Sequence, residues 1–495
     1  MQSSSTRLLL LPVLALICAV SSSCSTSNAA QTPTPATNDA KQPVAAAPAA
    51  LPPNTVSYVA EKGEPVNAIA HHFLSQSSLM LASELEAKIR EANNLAPKQL
   101  YVKKGQTLLI PTIEPQPVVE HSVPMPKDEE VRAIYLTGAM AGSANGMRII
   151  QRWHDVGGNA VVFDIKDSDG LLNVPFDHPL APHNRRAIPN LPKFVRYLHS
   201  MNLHAIARIA LFRDEHIARD HSELAVQSRS TSQPWRENGK LVWTDTSNPK
   251  VQEYDIALAK AVAKSGADEI QFDYVRFPAE GNQADAKFYF QTAHPEWKRS
   301  DVIADFLERA YAELHPEGVL VSLDVFGVMA WQRNVDLAHT GQDIVRMAKY
   351  CDVLSPMIYP SHFFGMDGYA NPGDAPEHFI GESMDRFELI TASSGVVLRP
   401  WLQAFAWRTK TYSPEYILKQ VSTSRDRGGI GFLFWNARND YSKPYAAMPM
   451  MRQHPELYLG KRPAPPVQTA SATKPHGKPT VKLAKAKQSG EAVAK

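Results

Sequence analysis

The sequence has little of several features that mark common protein classes. It contains three cysteines in 495 residues, and its formal net charge is only +2. The near-neutral charge gives no general reason to expect nucleic-acid binding. No apolar run after residue 20 approaches the length of a transmembrane helix. No Gly-x-Gly-x-x-Gly pattern opens the first strand–helix unit, so a dinucleotide-binding fold has no support and we expect no cofactor.

The N-terminus has the pattern of an export signal. Arg7 precedes an apolar run from Leu8 to Val20, which is followed by small residues and Cys24. This ending resembles a bacterial lipoprotein signal, which implies that Cys24 is lipidated and that the protein is exported and anchored to a membrane, facing the periplasm or cell envelope. A plain signal cleaved near Ala29 is the alternative. With Cys24 lipidated, Cys351 is the only remaining thiol and an internal disulfide is excluded.

Composition divides the chain into six segments. After the signal at 1–24, residues 25–54 are rich in small and polar residues and are expected to form a disordered tether. Residues 113–130 are a linker rich in Pro and Glu, and 461–495 are expected to be a disordered basic tail. Two folded units remain, a small one at 55–112 and a larger one at 131–460.

The small unit carries a recognisable pair of motifs. It contains Lys62-Gly63-Glu64-Pro65-Val66 near its start and Gly105-Gln106-Thr107-Leu108 near its end, followed by Ile110-Pro111. These segments resemble a LysM domain, a βααβ module that binds glycans containing N-acetylglucosamine. The resemblance implies that residues 55–112 bind peptidoglycan.

The larger unit alternates strand and helix patterns. The predicted strands are Val131–Gly138, Ala160–Lys166, His204–Phe212, Glu269–Phe277, Leu320–Phe326, Val353–Tyr359, Arg399–Phe405 and Ile430–Asn436. Helical patterns lie between most of them, and this alternation is typical of βαβ units in a parallel sheet. Eight such strands predict an α/β fold of the (β/α)8 TIM barrel type, with a doubly wound open sheet as the rival.

Polar and aromatic residues recur at the ends of these apolar strands. Chemistry in barrel enzymes gathers at the carboxyl ends of the strands, so these residues are candidates for substrate binding or catalysis. The candidates for substrate binding are Asp164, Asp167, Arg208, Arg276, Tyr359, His362, Gln403, Trp435 and Asn436. The tryptophans Trp331, Trp401 and Trp407 also offer flat faces for sugar rings.

Two carboxylates stand out as catalytic candidates. Asp273 and Asp324 lie on strands predicted to be adjacent, and glycoside hydrolysis uses two carboxyl groups across one bond. Two negative charges so close raise one pKa, which suits a general acid. The alternative interpretation is a structural ion pair between Asp273 and Arg276 within the strand. Glu280 is a substitute candidate for the acid.

The larger unit also resembles a known family. Phe272–Pro278 reproduces the Phe-Asp-Tyr-Val-Arg-Phe-Pro motif of a bacterial family of proposed glycoside hydrolases, and four further blocks between residues 162 and 439 resemble its segments. That family is similar to amylase-like barrels, which carry a nucleophilic Asp after strand four and an acid after strand five. The resemblance implies that Asp273 is the nucleophile and Asp324 the acid.

Three functions fit these observations. The first is a glycosidase of the cell envelope that acts on a polysaccharide or a peptidoglycan-related glycan. The second is a barrel that binds glycan without cleaving it and serves as an envelope scaffold. The third is a metal-dependent hydrolase using Asp164, Asp167, Asp273 and His362. Histidine is sparse at the strand ends, which disfavours the third, and we expect no metal. Retention or inversion of the anomeric centre stays open.

Overall fold

The computed structural model describes residues 51–461. The expected export signal, Cys24, most of the tether and the basic tail beyond residue 461 lie outside the described residues. Among residues 51–461, no helix combines the length and the apolar character needed to span a bilayer.

Residues 56–110 form a small unit with its own apolar core. Its elements are β1 (Val56–Val59), β2 (Glu64–Pro65), α1 (Val66–Phe73), α2 (Ala82–Ala92), β3 (Tyr101–Val102) and β4 (Thr107–Ile110). Strand β1 pairs antiparallel with β4, and β2 pairs antiparallel with β3. Ile69 and Phe73 recur at helical spacing on α1 and pack with Leu85 and Ile89 of α2, so each amphipathic helix buries one face.

Residues 131–461 contain a closed ring of eight parallel strand positions, which confirms the predicted barrel. The ring consists of β5 (Arg132–Leu136), β6 (Ala160–Lys166), β7 (His204–Ala210), β9 (Glu269–Asp273), β11 (Leu320–Phe326), β12 (Val353–Ile358), the two-part position of β13 (Val397–Leu398) and β14 (Trp401–Gln403), and β15 (Phe432–Trp435). Strand β15 pairs with β5, and β11 pairs with β12, so the sheet has no open edge. A short antiparallel pair, β8 (Gln227–Ser228) and β10 (Ala286–Lys287), lies outside the ring.

Helices connect the barrel strands. They are α3 (Gly138–Ala141), α4 (Ala144–Asp155), α5 (Leu191–Ser200), α6 (Glu215–Asp220), α7 (Pro249–Ala263), α8 (Phe290–Ala293), α9 (Arg299–Leu314), α10 (Asn334–Thr340), α11 (Ile344–Met347), α12 (Pro376–Thr391), α13 (Pro414–Asp426), α14 (Ser442–Gln453) and α15 (Pro455–Tyr458). Several begin with a side-chain cap; Ser413, for example, accepts a hydrogen bond from the backbone nitrogen of Tyr416.

Strand β6 places alternate side chains on the outer and the inner face of the barrel. All seven of its residues are buried. Val161 and Phe163 pack into the core shared with the helices, whereas Ala160 and Val162 belong to a separate cluster inside the ring. Because side chains alternate along a strand, Asp164 continues the inner face. The apolar run therefore carries its carboxylate into the barrel interior near the end of the strand.

The lower part of the barrel interior holds a second charged group. Glu269 begins β9, and its Oε2 lies 2.8 Å from Nη1 of Arg399 and 3.1 Å from Nε2 of His204. Glu269 and Arg399 are fully buried. Glu269 and Asp273 are four residues apart on β9, so both point inward at opposite ends of the strand.

The expected linker lies along helix α5. Arg196 forms ion pairs of 2.6 Å with Glu114 and 2.8 Å with Glu120. His199 lies 3.2 Å from the same Glu120. Nζ of Lys193 donates to the backbone oxygen of Leu74 in the small unit. The small unit and the barrel have separate apolar cores, but they touch through this helix and through Met80 and Leu81, which pack against the barrel core.

Candidate active site

Four charged side chains lie near the carboxyl ends of consecutive barrel strands. Asp164 is on β6, Arg208 on β7, Asp273 at the end of β9 and Asp324 on β11, and these strands are neighbours in that order. The strand register places Asp164 directly beside Arg208. Because parallel strands end at the same edge, all four side chains gather at one end of the barrel.

Arg208 is the cation that the three carboxyl groups share. Its Nη1 donates to Oδ1 of Asp164 at 2.5 Å. Its Nη2 and Nε donate to Oδ2 of Asp273 at 2.6 and 3.2 Å. The same Nε lies 4.0 Å from Oδ2 of Asp324. One buried positive charge therefore faces three carboxyl groups, so they cannot all be ionised without net negative charge in a low-dielectric site.

Among the three carboxyl groups, the surroundings of Asp324 disfavour the ionised form most clearly. Burial raises its pKa well above the ordinary range, and the negative charge of Asp273 raises it further, while Arg208 and a hydrogen bond from Trp401 offset part of the effect. Nε1 of Trp401 donates to Oδ1 of Asp324 at 2.7 Å. Because Oδ1 accepts this hydrogen bond, Oδ2 is the oxygen left free to carry a proton.

Asp273 and Asp324 lie close enough to act on one bond. Their Oδ2 atoms stand 3.2 and 4.0 Å from the same nitrogen of Arg208, so these two oxygens are at most about 7 Å apart, the sum of the two distances. Retaining glycosidases place their carboxyl groups about 5–5.5 Å apart, and inverting ones about 6.5–9.5 Å. The upper limit on the separation of the two oxygens therefore includes the whole retaining range but only the lower edge of the inverting range.

The backbone also holds the Asp273 carboxylate. The backbone nitrogen of Tyr274 donates to Oδ1 of Asp273 at 2.6 Å. Tyr274 has a φ of 55°, in the left-handed region that tyrosine rarely adopts. Strand β9 therefore ends at Asp273, four residues before the predicted end. Strained backbone of this kind persists where surrounding contacts hold it, which is common at functional sites.

The alternative interpretation of an Asp273–Arg276 ion pair is wrong. The guanidinium of Arg276 lies 4.9 Å from the ring centre of Trp243 and 4.5 Å from that of Phe326. Arg208, which is distant in sequence, takes the place expected for Arg276 beside Asp273. Arg276 still lines the cavity described below.

Asp164 lies beneath the other two carboxyl groups. Burial raises its pKa to about 6 although Arg208 lowers it in part. The hydroxyl of Tyr135 donates to its Oδ2 at 2.5 Å. The ring of Tyr135 stacks on Trp435, with the ring centres 4.1 Å apart. Asp164 therefore orients Arg208 and Tyr135 rather than facing the open cavity.

Two adjoining cavities open at this end of the barrel. The first, of about 160 Å³, contains both catalytic candidates; it is lined by Arg208, Asp273, Tyr274, Arg276, Asp324, Phe326, Met357, Tyr359, Trp401 and Trp435. The second, of about 630 Å³, is lined by Tyr359, His362, Phe405, Ala406, Trp407, Tyr412, Trp435, Asn436, Ala437, Arg438 and Asp440. Tyr359 and Trp435 belong to both, so the carboxyl groups open onto a larger aromatic cleft.

Most of the predicted substrate-binding residues line these cavities, but three do not. Asp164 is covered as described. Asp167 is half-buried in the loop after β6, where its Oδ1 accepts from the backbone of Ser168 at 2.6 Å. Gln403 is fully buried and donates to Oγ1 of Thr409 at 2.8 Å. Gln403 therefore hydrogen-bonds to the loop that carries Thr409 and does not line either cavity.

Sequence reasoning did not select Tyr135 or Trp401 as site residues. Tyr135 is a single polar aromatic near the end of an apolar strand, which is the same pattern that marked the other strand ends. Trp401 was considered only as a sugar-stacking surface, yet its Nε1 contacts Asp324. Trp331 lies under Arg386 and beside Phe363, and lines neither cavity.

The other proposed chemistries find less support in the geometry. Glu280, the substitute acid, is exposed, accepts from Nδ2 of Asn238 at 3.0 Å and lines neither cavity. Within residues 51–461, no three His, Cys, Asp or Glu side chains are grouped so that they could hold a metal ion. The carboxyl groups at the strand ends engage Arg208 instead.

Comparison with protein families gives a match over most of the barrel. Residues 133–441 match the model of a family described as "Putative glycosyl hydrolase domain". A search of curated proteins returned no match.

Several solved structures resemble the chain. A hypothetical protein from Ruminiclostridium thermocellum is 32% identical over 39% of this chain and 97% of its own, with a TM-score of 0.33. The PgaB (BpsB) glycoside hydrolase domain from Bordetella bronchiseptica is 16% identical over 67% of this chain and 99% of its own, with a TM-score of 0.50. The spore cortex-lytic enzyme SleL from Bacillus megaterium is 12% identical over 84% and 89%, with a TM-score of 0.41.

Proposed function

Because the chain belongs to the glycosyl hydrolase family whose model matches residues 133–441, we propose that its barrel is a glycosidase that uses Asp273 and Asp324. The observation that carries this proposal is the shared contact with Arg208. Two carboxyl groups reach one cavity, are at most about 7 Å apart and have different surroundings. Glycoside hydrolysis needs one carboxyl group in each protonation state.

Asp324 is the general acid in this mechanism. Its raised pKa favours the protonated form that an acid needs, and Trp401 fixes the orientation of the carboxyl group through Oδ1. Oδ2 protonates the glycosidic oxygen as the bond to the leaving sugar breaks. The acid must keep its proton near the working pH, which burial and the neighbouring charge of Asp273 provide.

Asp273 is the nucleophile. Arg208 and the backbone nitrogen of Tyr274 hold its carboxylate in one orientation. Its oxygen attacks the anomeric carbon and forms a glycosyl–enzyme ester. Water, deprotonated by Asp324 after it has lost its proton, then hydrolyses the ester, so the product keeps the original anomeric configuration. Arg208 stabilises the carboxylate again as the ester breaks.

The binding-only alternative predicts a cleft that side chains close. The cavity at the carboxyl groups, about 160 Å³, is small beside the roughly 300–1,000 Å³ of typical ligand sites. It adjoins the aromatic cleft of about 630 Å³, which falls inside that range. The carboxyl groups therefore lie at the inner end of an open cleft, and this favours hydrolysis over passive binding.

We propose a substrate in the cell envelope, either a polysaccharide or a peptidoglycan-related glycan. The support comes from the LysM-like motifs and from the strand and helix order at 56–110, where two helices lie between the paired strands β1 and β4. In this account the small unit binds peptidoglycan, and a lipid on Cys24 holds the exported protein at the membrane. The PgaB neighbour, itself a glycoside hydrolase domain, adds support at the level of the fold.

The test of the proposed function is the release of new reducing ends from purified peptidoglycan and from a panel of envelope polysaccharides. The full chain should release them from at least one of these glycans, and NMR of the first product should show the anomeric configuration of the substrate. Absence of cleavage on every glycan, with binding retained, would instead support the scaffold.

Recruitment by the small unit is tested by removing it. A chain without residues 55–112 should bind insoluble peptidoglycan several-fold less in a pelleting assay. The barrel should still fold because its apolar core is separate from that of the small unit. Its melting temperature should fall, since the Lys193 contact with Leu74 and the packing of Met80 and Leu81 on the barrel core are lost. If the shortened chain pellets with peptidoglycan as well as the full chain does, then the small unit does not recruit the protein to peptidoglycan.

A further inference from the structure

We propose that the cleft extends to a site for an anionic group on the glycan, a carboxylate carried by a sugar, with Arg408 as its main cation. This inference rests on the proposed function, because it names the class of substrate that the same cleft accepts. It follows from the arrangement of the cavities, from the charges along them and from the way in which the cleft wall is fastened.

A third cavity continues the cleft away from the catalytic candidates. It measures about 530 Å³ and is lined by Ser361, Phe364, Ala370, Asn371, Pro372, Gly373, Ala406, Arg408, Thr409 and Lys410. Ala406 also lines the aromatic cleft, which in turn shares Tyr359 and Trp435 with the carboxylate cavity. Each of the three cavities therefore shares lining residues with the next one.

Arg408 lies exposed on the wall of the third cavity, next to Trp407 of the aromatic cleft. Its guanidinium is 3.8 Å from the ring centre of Phe364 and 4.6 Å from that of Trp407. These rings hold the guanidinium in place through cation–π contacts. No carboxylate within residues 51–461 forms an ion pair with it, so its five N–H donors remain available for a planar carboxylate.

The other charges in the two outer cavities add to the same field. Arg438 and Lys410 line these cavities and form no ion pair among the described residues. Asp440 is the one acid that lines either cavity. Asp374 lies beside the third cavity, where its Oδ1 accepts from the backbone nitrogens of Lys410 and Thr411 at 2.7 and 3.0 Å, and it adds a second negative charge. Three cations thus stand against two acids along the outer cleft.

The wall that carries Arg408 is fixed by buried hydrogen bonds. Gln403 donates to Oγ1 of Thr409 at 2.8 Å and to the backbone oxygen of Phe405 at 2.9 Å. Its Oε1 accepts from the backbone nitrogen of Ser361 at 3.2 Å on the opposite wall. Both walls are therefore held together before a ligand arrives, and this lowers the ordering cost of binding.

The inner and outer parts of the cleft suit different parts of a ligand. In the inner cavity, Arg208 is already paired with Asp164 and Asp273, so its charge is not free for an anionic sugar. His362, on the wall of the aromatic cleft, has a pKa lowered by burial and by the charge of Arg408, so it stays neutral at neutral pH. The geometry assigns a neutral sugar to the carboxyl groups and an anionic sugar to the outer end.

The probe is a pair of glycans that differ in charge alone. Peptidoglycan strands stripped of their stem peptides carry a lactyl carboxylate on every second sugar, and chemical reduction of those carboxyls to alcohols gives a neutral counterpart. Binding of both forms is measured by calorimetry with the full chain carrying Asp273→Asn, so that the ligand is not consumed. Cleavage of both is measured with the unmodified chain.

We expect the charged strands to bind about tenfold more tightly than the reduced ones, which corresponds to about 1.4 kcal/mol. Arg408→Ala should abolish this preference, and Arg408→Lys should restore part of it, since the charge returns without the planar fork. Lys250→Ala, which removes one exposed charge from helix α7 outside the barrel, is the matched control and should keep the preference.

The outcomes separate this inference from the proposed function. Equal affinity for the charged and reduced strands, or a preference that survives Arg408→Ala, would overturn the anionic site even if the chain cleaves both forms. A charge preference that depends on Arg408 supports the anionic site, and if no cleavage accompanies it, then only the proposed hydrolysis fails.

Discussion

A cluster of charged side chains lies at each end of the barrel interior, and the two clusters differ in the ratio of cations to carboxyl groups. At the amino-terminal end, one carboxylate, Glu269, pairs with the guanidinium of Arg399 and contacts the ring of His204. At the carboxyl-terminal end, three carboxyl groups share one arginine, Arg208. The first cluster is sealed inside the ring, whereas the second borders a cavity.

The direction of the pKa shifts of Glu269 and Asp324 follows the ratio of cations to carboxyl groups. Burial raises the pKa of Glu269, but Arg399 and His204 more than offset it and lower the pKa to about 2. Burial and a neighbouring carboxylate raise the pKa of Asp324 well above its ordinary range. Burial is thus common to both ends, and the number of cations per carboxyl group decides the direction. A buried carboxylate whose charge is balanced by cations stabilises the fold. Buried carboxyl groups that outnumber their cations beside a cavity are suited to catalysis.

The largest expected effect is on turnover and belongs to the upper cluster. Asp273→Asn removes the nucleophile and should lower kcat on the cleaved glycan on the order of 10²–10⁴-fold, the contribution typical of such groups. The fold should persist because Arg208 keeps its contact with Asp164. The measurement is reducing-end release per folded molecule, with circular dichroism as the control for folding. Full activity in this variant would remove Asp273 from the mechanism.

The next effect is on stability and belongs to the lower cluster. Glu269→Gln leaves Arg399 buried without its carboxylate, and breaking a buried pair in this way costs about 3–5 kcal/mol. Urea unfolding should show this loss, while turnover per folded molecule stays near that of the unmodified chain. Lys250→Ala, an exposed change on α7, is the control and should alter neither quantity. A Glu269→Gln variant that is stable but inactive would reverse the roles of the two ends.

The pH dependence of stability should have opposite signs at the two ends. The pKa of Glu269 is about 2 in the folded chain, below its ordinary 4.5, so its stabilisation is present above pH 4.5 and is lost as the pH falls toward 2. The stability gap between the unmodified chain and Glu269→Gln should therefore narrow over that range.

The contribution of Asp324 to stability has the opposite pH dependence. Its folded pKa lies above the ordinary 3.8, so its contribution is complete below that value and is lost as the pH rises through the folded pKa. Relative to the unmodified chain, Asp324→Asn should become more stable as the pH rises. Urea midpoints between pH 3 and 9 test both trends, and parallel curves for the two variants would contradict the comparison.

The sequence predicted the strands well where a buried run ends in a simple way. The bounds of β6 and β11 agree with the predicted ones, since both are apolar runs between clear turns. The seventh strand was predicted at Arg399–Phe405, which covers β14 but misses β13 at Val397–Leu398. Arg399-Pro400 separates the two parts, because proline has no N–H to donate to the ladder. Strand β9 ends early because Tyr274 adopts a positive φ, which no local pattern shows.

The site was harder to predict than the fold. Strand periodicity placed Asp273 and Asp324 on inward faces of neighbouring strands, and both line one cavity. The partner of Asp273 was sought within its own strand, at Arg276, but the contact is with Arg208, which lies 65 residues away in sequence. Such contacts depend on the barrel closing, so spacing along the chain does not reveal them. The same holds for the bond from Trp401 to Asp324.

The measurement that tests the central claim most directly is activity and melting temperature together on Asp324→Asn. Since burial and the charge of Asp273 disfavour the ionised form of Asp324, and its Oδ1 accepts from Trp401, asparagine fits the same place and the melting temperature should hold or rise. Cleavage should fall by at least about 100-fold on natural glycans, and much less on aryl glycosides whose leaving group needs no proton. A variant that melts earlier yet turns over normally per folded molecule would contradict the account.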